Sequence, residues 1–522
     1  MPGVSSLRTL NGRAQLRGPA TEAAPAEADQ AAADRAAAAR HAGLVLAVVM
    51  TGVLITAVDT TIVVLALPEI QRTIHVGIAQ VIWVITGYLL VLTLLVTQVG
   101  RLGDMFGRVR MYETGFAVFI LGSLLCALAW DQASIIAFRV LQGIGGALIT
   151  ANSNAVIADT IPAERRGRAY GWVAGVGWNL GAVIGVVLGG AIVTYLSWRW
   201  IFWINVPIGG AALAVAVRVL RDRGTRHRAR LDVSGMVTLG LGLLGLLWAI
   251  TELASTPVDR RIVAALVIGV ALLVAFVLIE RRKAEPMVHL SLFRVPSMTG
   301  SLLAVMFQSL ASFAVLFLVI MYLQGVRGLS PLDASLLLVP GYVIGGVIGP
   351  VGGRMADRVG PVVPATVGLA IQVGALAVYA QLGDATGLWL VVAASVLNGI
   401  GGGGFYPANM SAIMKAAPAD AFGMASGMMR MFANVGMVFS FSLAILIASE
   451  SISRHLAFAI FVGTVTLEHH VGSAFTAGLR SAFYASMGLM ALAALLSAGR
   501  GRLGPRQAPP VEALLEPPAP SP

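Results

Sequence analysis

The stretch AVDTTIVVLALP, residues 57–68, decides the fold, because it places an acid inside an apolar segment that begins near Gly43. No basic residue stands within one or two helical turns of Asp59. An ionised group in hydrocarbon costs about 3 kcal/mol, so such an acid normally faces a cavity or a partner and takes part in function. The alternative interpretation is a structural aspartate bonded to Thr56, Thr60 or the nearby backbone.

The composition around this stretch is typical of a membrane protein with many spans. Of 522 residues, 57% are hydrophobic and 12% are charged, whereas soluble domains are about 25% charged. The 60 glycines suit close packing of spanning helices. A single cysteine, Cys126, excludes an intrachain disulfide. The net charge of +11 does not indicate nucleic acid as a partner, because the basic residues lie between apolar runs. The expected partner is the lipid bilayer.

Fourteen apolar runs are long enough to cross a hydrocarbon layer of about 30 Å, which takes about 20 helical residues. They lie near 44–68, 81–99, 111–129, 134–157, 170–194, 200–220, 233–251, 262–280, 298–323, 334–352, 363–382, 387–413, 422–448 and 480–498. With both termini placed inside, 27 of the 36 basic residues fall in inner segments and seven in outer segments. Since cytoplasmic loops hold the excess of Lys and Arg, we expect both termini to be cytoplasmic.

An internal repeat divides the chain into two halves. Residues 100–107 read GRLGDMFG, and residues 353–360 read GRMADRVG. The same loop in two halves predicts two related bundles of six helices, as in many transporters. The expected organisation is a disordered cytoplasmic tail (1–42), an N-terminal bundle (43–220), a linker with an inserted helix pair (221–297), a C-terminal bundle (298–499) and a second disordered tail (500–522). Between the last two spans, 449–479 is predicted to be an external loop.

The first copy of this repeat, extended to GRLGDMFGRVR at 100–110, has the residues of a conformational latch. Its glycines, Gly100, Gly103 and Gly107, permit a tight turn and close helix approach. Asp104 can bond a helix end or an arginine, with Arg108 and Arg110 nearest in sequence. The alternative is a basic loop that only fixes orientation. In the second half, Asp357 with Arg354 and Arg358 is the predicted counterpart.

A second ionisable group inside a span is Arg139, in RVLQGIGGA at 139–147. At about 1.5 Å per helical residue, Arg139 lies ~12 Å from the outer Asp131, and Asp59 lies ~15 Å from the outer Glu69. The two charged groups therefore lie at similar depth. A buried charge without a partner is strongly disfavoured.

The fifth span has a series of glycines that includes Gly181, Gly185, Gly189 and Gly190. Close packing of small residues is a sufficient reason for this series. The sequence WRWIFWINVPIG follows at 198–209, and its tryptophans suit a membrane interface.

These motifs resemble those of the major facilitator superfamily, and more narrowly its fourteen-span drug:proton antiporter branch, which includes quaternary-ammonium and antibiotic exporters. Residues 57–68 are similar to the branch's first-span pattern L-D-x-T-I-V-N-V-A-L-P, with Val64 in place of the usual Asn. Residues 100–110 resemble the superfamily's loop between spans two and three, and residues 139–147 resemble its R-x-x-Q-G-x-G-x-A pattern. Residues 185–190 resemble the antiporter pattern G-P-x-x-G-G, with Val186 in place of proline. The resemblance extends over 44–498.

The resemblance implies an all-α polytopic protein with the major facilitator fold, in which two six-helix bundles are joined through two extra inserted helices. That fold places spans one and four close together, so we predict that Asp59 and Arg139 interact, directly or through Gln142 or water. In this family the first-span aspartate is implicated in proton coupling. The predicted coupling residues are therefore Asp59, Arg139 and Gln142, with the proton as coupling ion and no other cofactor.

The function that the resemblance implies is proton-driven export of small hydrophobic drugs or antibiotics by alternating access. The expected location is the bacterial inner membrane, and the expected state is a monomer. A dedicated exporter of one natural product or lipid and a proton-coupled symporter remain open within the same fold. No Ser/His/Asp set, HExxH motif or Walker A loop indicates an enzyme or an ATP-driven pump. The pair His469–His470 lacks a third ligand, so no metal site is predicted.

Candidate substrate contacts are polar and aromatic residues in spans expected to line a cavity, since drug sites are apolar pockets with a few polar groups. They are Trp178, Asn179, Gln308, Phe313, Asn398, Phe405, Tyr406, Asn409, Phe432 and Asn434. For each of them, packing is the alternative role. Span thirteen carries Arg430 where family members that pump divalent cations tend to carry acids. The expected substrates are therefore lipophilic compounds that are neutral or carry one positive charge.

Overall fold

The computed structural model describes residues 23–76, 78–161, 173, 177–222, 231–254, 256–283, 286–383, 385–417, 422–448 and 469–500. The helices are α1 (Ala23–Ile74), α2 (Ile78–Val81), α3 (Trp83–Phe106), α4 (Arg108–Ala127), α5 (Gln132–Thr160), α6 (Trp178–Tyr195), α7 (Trp200–Trp203), α8 (Asn205–Val219), α9 (Val233–Leu253), α10 (Arg260–Glu280), α11 (Pro296–Met321), α12 (Pro331–Val359), α13 (Val362–Tyr379), α14 (Trp389–Ala416), α15 (Phe422–Ala448) and α16 (His469–Ala498). Among the residues described, fourteen helical segments are long and apolar enough to cross a membrane, which confirms the fourteen predicted spans.

The N-terminal half is organised around α1, whose middle turns are completely enclosed by protein. Three glycines of α6, four residues apart, let that helix approach α1 closely. A Cβ on Gly181 would lie 2.7 Å from the Ala57 Cβ, and one on Gly185 would lie 2.9 Å from the Val58 carbonyl oxygen. A Cβ on Gly189 would lie 2.7 Å from Ile62. These predicted glycines therefore set the spacing of α6 beside the Asp59 turn, as small residues do in membrane helix packing.

The two halves meet through two helix pairs. Helix α6 packs on α12, and α3 packs on α15. Gly190, one residue beyond the α1-facing series, belongs to the first of these contacts, because its Cβ would lie 2.8 Å from the Pro331 carbonyl oxygen. In the second contact, Gly427 of α15 lies against Thr97 of α3.

The inserted pair, α9 and α10, sits at the side of this core. Gly242 and Gly269 bring the two helices together. Helix α9 contacts α15 through a 2.6 Å hydrogen bond between the hydroxyls of Thr251 and Ser442, whereas α10 has little of its surface buried. The segment after α10 is tied to the N-terminal half, since Arg101 Nη2 donates to the Pro286 carbonyl over 2.6 Å.

Two boundaries differ from the sequence prediction. Within the tail predicted as disordered, residues 23–42 are helical and continue into α1, in keeping with the high helix propensity of alanine. Residues 1–22 and 501–522 lie outside the described part of the chain. Residues 449–468 of the predicted external loop also lie outside the described part of the chain. Residues 469–479 are helical, because α16 begins at His469.

The contact between α4 and α5 is close enough to be tested with a single methyl group. A Cβ on Gly145 would lie 2.3 Å from the backbone nitrogen of Phe119, so Gly145→Ala must push the two helices apart. We expect a lower yield of folded protein and a lower apparent unfolding temperature for Gly145→Ala in detergent. The matched control is Gly374→Ala in α13, where the new Cβ meets nothing within 4 Å. Equal behaviour of the two variants would contradict the described helix spacing.

Candidate functional site

Asp59 and Arg139 form an ion pair in the interior of the N-terminal half. Arg139 Nη1 donates to Asp59 Oδ2 over 2.6 Å, and both side chains have no exposed surface. Asp59 lies in the middle of α1, and Arg139 reaches it from α5. The structure therefore contains the contact predicted from the equal depth of the two residues.

A second layer of polar groups surrounds the carboxylate. Gln142 Nε2 donates to Asp59 Oδ1 over 2.8 Å, while its Oε1 accepts from Arg139 Nη1 over 2.6 Å. Gln142 thus contacts both members of the ion pair, as predicted. Asn205 of α8 donates to Asp59 Oδ1 over 3.4 Å and to the Ser123 hydroxyl over 3.2 Å. Gln142 Nε2 also donates to Ser123, over 2.6 Å, which closes the network.

The guanidinium of Arg139 is held from two further directions. Its Nε donates to the Val84 carbonyl over 2.9 Å, and its plane lies 4.2 Å from the centre of the Tyr88 ring. Its Nη2 is buried and has no hydrogen-bond partner in the described structure. Cation–π contact with Tyr88 compensates part of the lost hydration. One donor of Arg139 is therefore available for a different partner if the helices move.

This arrangement suits a carboxylate that alternates between two states. All partners of Asp59 in the described structure donate hydrogen bonds, which fits an ionised, accept-only carboxylate. A proton on Asp59 would weaken its hold on Arg139, because the charge-assisted hydrogen bond would become a neutral one.

In the first half, Asp104 of the predicted latch bonds an arginine, and its role as a latch stays a prediction. Asp104 Oδ1 accepts from Arg108 Nε over 2.9 Å, and Arg108 Nη1 donates to Asp159 Oδ1 at the end of α5 over 2.8 Å. Gly107 has φ 105°, a conformation in which a side chain is strained. The predicted latch residue Arg110 is exposed instead.

The glycines of the latch loop have different surroundings. Gly103 approaches Asn152 of α5, since its Cβ would lie 2.2 Å from the Asn152 Oδ1. Gly100 has open space around it. Of the three predicted glycines, Gly103 permits a close approach, and Gly107 permits the turn.

The second half repeats the turn of the latch without its ion pairs. Gly360 has φ 88° and matches Gly107 in the repeat. Asp357 and Arg358, however, are exposed and form no ion pair within the described residues. The repeat itself gives a physical reason, because Pro361 stands at the position of Arg108 and carries no charge that could pair with Asp357.

Several predicted substrate contacts belong to an uncharged polar chain in the C-terminal half. Gln308 of α11 donates to Gln372 of α13 over 3.4 Å, and Gln372 donates to Asn398 of α14 over 3.0 Å. Gln308 and Asn409 are fully buried, and Asn409 donates to the Ser301 carbonyl over 3.3 Å. These amides therefore hold helices together, which is the packing role left open by the sequence.

The remaining predicted substrate contacts differ in how much of each side chain is exposed. Phe405 is fully buried, and Phe432 packs on Phe293 of the segment before α11, with ring centres 5.8 Å apart. The side chains that keep part of their surface accessible are Trp178, Asn179, Phe313, Asn398, Tyr406, Phe432 and Asn434.

Sequence reasoning missed four residues of these networks: Ser123, Asn205, Tyr88 and Asp159. A polar side chain inside an apolar run was the available signal for Asn205, which follows three tryptophans in the sixth span. Ser123 and Tyr88 gave no such signal, because serine and tyrosine are common in spanning helices as packing residues. Asp159 precedes a basic loop in the sequence, a position that is typical of a solvated charge.

The comparison with known families decides the identity of the fold. The Major Facilitator Superfamily profile matches residues 49–440 and 301–520. The chain belongs to this superfamily. The major facilitator fold is also found by structural comparison: a bacterial homolog of the human lysosomal transporter Spinster, in an inward-facing and unoccupied conformation, gives a TM-score of 0.63 at 17% identity, over 88% of this chain and 97% of that one.

Curated relatives of this major facilitator transporter are multidrug and antibiotic exporters. The tetracenomycin C resistance and export protein of Streptomyces glaucescens is 34% identical over 73% of this chain and 71% of its own length. The multidrug resistance protein Stp of Mycobacterium tuberculosis is 30% identical over 80% of both chains. The multidrug transporter protein MdtP of Bacillus subtilis is 27% identical over 74% of this chain and 71% of its own length. The chain is therefore a membrane transporter and not an enzyme.

Proposed function

We propose that this transporter exports small hydrophobic compounds of the antibiotic class in exchange for protons. The observation that carries the proposal is the buried Asp59–Arg139 pair, whose atoms are 2.6 Å apart and enclosed by α1, α3, α5 and α8. Burying ionisable residues away from water costs free energy, so such residues are rare in spanning helices unless they move ions or substrates. The exporter relatives support the direction of transport.

The proposed cycle links one proton to one change of access. A proton from outside adds to the Asp59 carboxylate and forms the carboxylic acid. Arg139 then loses its anionic partner and turns toward Gln142 Oε1, which already lies 2.6 Å from Nη1. The change is transmitted through α1 to α6, whose glycines contact both α1 and α12 of the other half. Release of the proton inside restores the ion pair.

The test is export measured with and without a proton gradient. Cells that lack their own exporters and express this protein should accumulate less N-phenyl-1-naphthylamine, a neutral fluorescent compound, than cells with the empty vector. A protonophore should abolish the difference, because the exchange has no other energy source. Export that persists after the gradient has collapsed, while ATP is present, would contradict proton exchange. Gradient-driven uptake into the cells would favour a symporter instead.

A further inference from the structure

Arg430, in the first half of α15, is a charged residue that takes no part in the Asp59–Arg139 network. It lies eight residues after the helix start at Phe422, about 12 Å along the axis at 1.5 Å per residue. The side chain is surrounded by protein but keeps part of its surface accessible. It forms no ion pair within the described residues. A guanidinium in such a place requires either water or an anion.

The face of α15 that carries Arg430 is fixed by its neighbours on the same side. Gly427, three residues earlier, lies against Thr97 of α3 in the N-terminal half. Phe441, eleven residues later, packs edge-on against Phe313 and Phe317 of α11, with ring centres 6.5 and 5.7 Å apart. Residues at these spacings share one helix face. Arg430 therefore faces the boundary between the two halves, beside α3 and α11.

The opposite flank of α15 is occupied by other parts of the chain. Phe432 contacts Phe293 of the segment before α11, and Ser442 bonds Thr251 of α9. These contacts close the side of α15 that is turned away from Arg430. The accessible surface of Arg430 therefore opens toward the interior between the halves rather than toward the inserted pair.

The helices packed against α15 supply no free acid near Arg430 within the described residues. The acids on these helices or at their starts are Asp104 of α3, and Asp232 and Glu252 of α9. Asp104 is already bound by Arg108, and Asp232 is bound by Lys283. Glu252 follows Thr251, which meets α15 at Ser442, twelve residues or about 18 Å beyond Arg430. The positive charge at the boundary between the halves is therefore left without a protein counter-charge.

We propose that Arg430 binds the anionic group of the transported compound, so that the preferred substrates are aromatic or lipophilic anions with a carboxylate, phenolate or sulfonate. The planar guanidinium offers paired donors that match such groups. Phe313 packs on Phe441, on the same face of α15 and about 16 Å further along the helix, where it supplies an aromatic surface. This inference rests on the proposed export function for its biological meaning. It replaces the sequence expectation of neutral or monocationic substrates.

The proposal is tested by measuring the binding of two fluorescent probes, one with and one without a sulfonate group. The transporter in nanodiscs of uncharged lipid is titrated with 1-anilinonaphthalene-8-sulfonate, a fluorescent anion, and with N-phenyl-1-naphthylamine, which has the same rings without the sulfonate. Loss of one charge-assisted interaction is expected to weaken sulfonate binding to Arg430→Gln by about tenfold. Affinity for the neutral probe should not change, and Arg430→Lys should retain part of the sulfonate affinity.

The matched control is Arg480→Gln, which removes the same charge from an exposed position on α16. It should leave the binding of both probes unchanged. The proposal is overturned if the wild type does not bind the sulfonate, if Arg430→Gln weakens both probes equally, or if the control has the same effect. Binding requires no proton gradient. Export without proton dependence would therefore contradict the proposed function, but it would not change the measured affinity of Arg430 for the sulfonate.

Discussion

Asp59→Asn is expected to abolish export driven by a proton gradient and to leave the transporter folded in the membrane. The amide has nearly the shape of the carboxylate but cannot take up and release a proton, so the cycle loses its coupled step. Arg139 keeps an acceptor in Gln142 Oε1. The measurement is efflux of a preloaded fluorescent compound from proteoliposomes after an imposed pH step, with the amount of inserted protein determined in parallel.

The control for this variant is Glu69→Gln, ten residues further along α1. Glu69 pairs with Arg72 at the exposed end of the helix, and such surface pairs contribute little. It should export at the wild-type rate, although it loses the same charge from the same helix. An Asp59→Asn protein that exports as fast as the wild type would end the proposal that this acid is the coupling group.

Arg139→Gln is expected to destabilise the protein more than any other single substitution in the site. Removing one partner of a buried ion pair leaves an uncompensated charge, which typically costs about 3–5 kcal/mol. Asp59 would then have no cation, and the carbonyl of Val84 would lose its donor. We expect a large fall in yield and in the apparent unfolding temperature, measured at one fixed scan rate because unfolding of large proteins is often irreversible.

The double variant Asp59→Asn/Arg139→Gln separates the structural role of the pair from its transport role. With both charges removed, no uncompensated charge remains, so stability should recover relative to Arg139→Gln alone. Proton-driven export should stay absent, since the acid proposed to carry the proton is gone. Effects of the two substitutions that simply add would show that the residues are energetically independent and would contradict the described ion pair.

The contact between Asp59 and Arg139 was predictable because each depth can be counted from a nearby loop and the fold implied by the family resemblance places spans one and four together. The same reasoning applied to Gln142, which stands three residues after Arg139 and shares its helix face. It did not extend to Asn205 or Ser123. Their inclusion depends on how α8 and α4 are rotated about their axes, and sequence spacing does not determine that rotation.

The repeated latch motif also shows that sequence spacing does not determine contacts between distant residues. The positive φ at Gly107 and Gly360 agrees with the matching sequences, because a tight turn between two helices needs a residue without a side chain. Within the described residues the ion pairs are present in the first half and not in the second, because both pairs need Arg108, which Pro361 replaces, and one also needs Asp159 of a different helix. A short motif therefore predicts local backbone better than it predicts distant partners.

By itself, the sequence determined the fourteen spans, the two halves and the mid-membrane positions of Asp59 and Arg139. Span length and charge placement are one-dimensional quantities, and the bilayer fixes their scale. Only the tertiary structure decided which neighbours complete the ion pair, that Phe432 packs on Phe293, and that Arg430 forms no ion pair within the described residues. Those facts depend on helix rotation and close approach, which arise from packing many side chains at once.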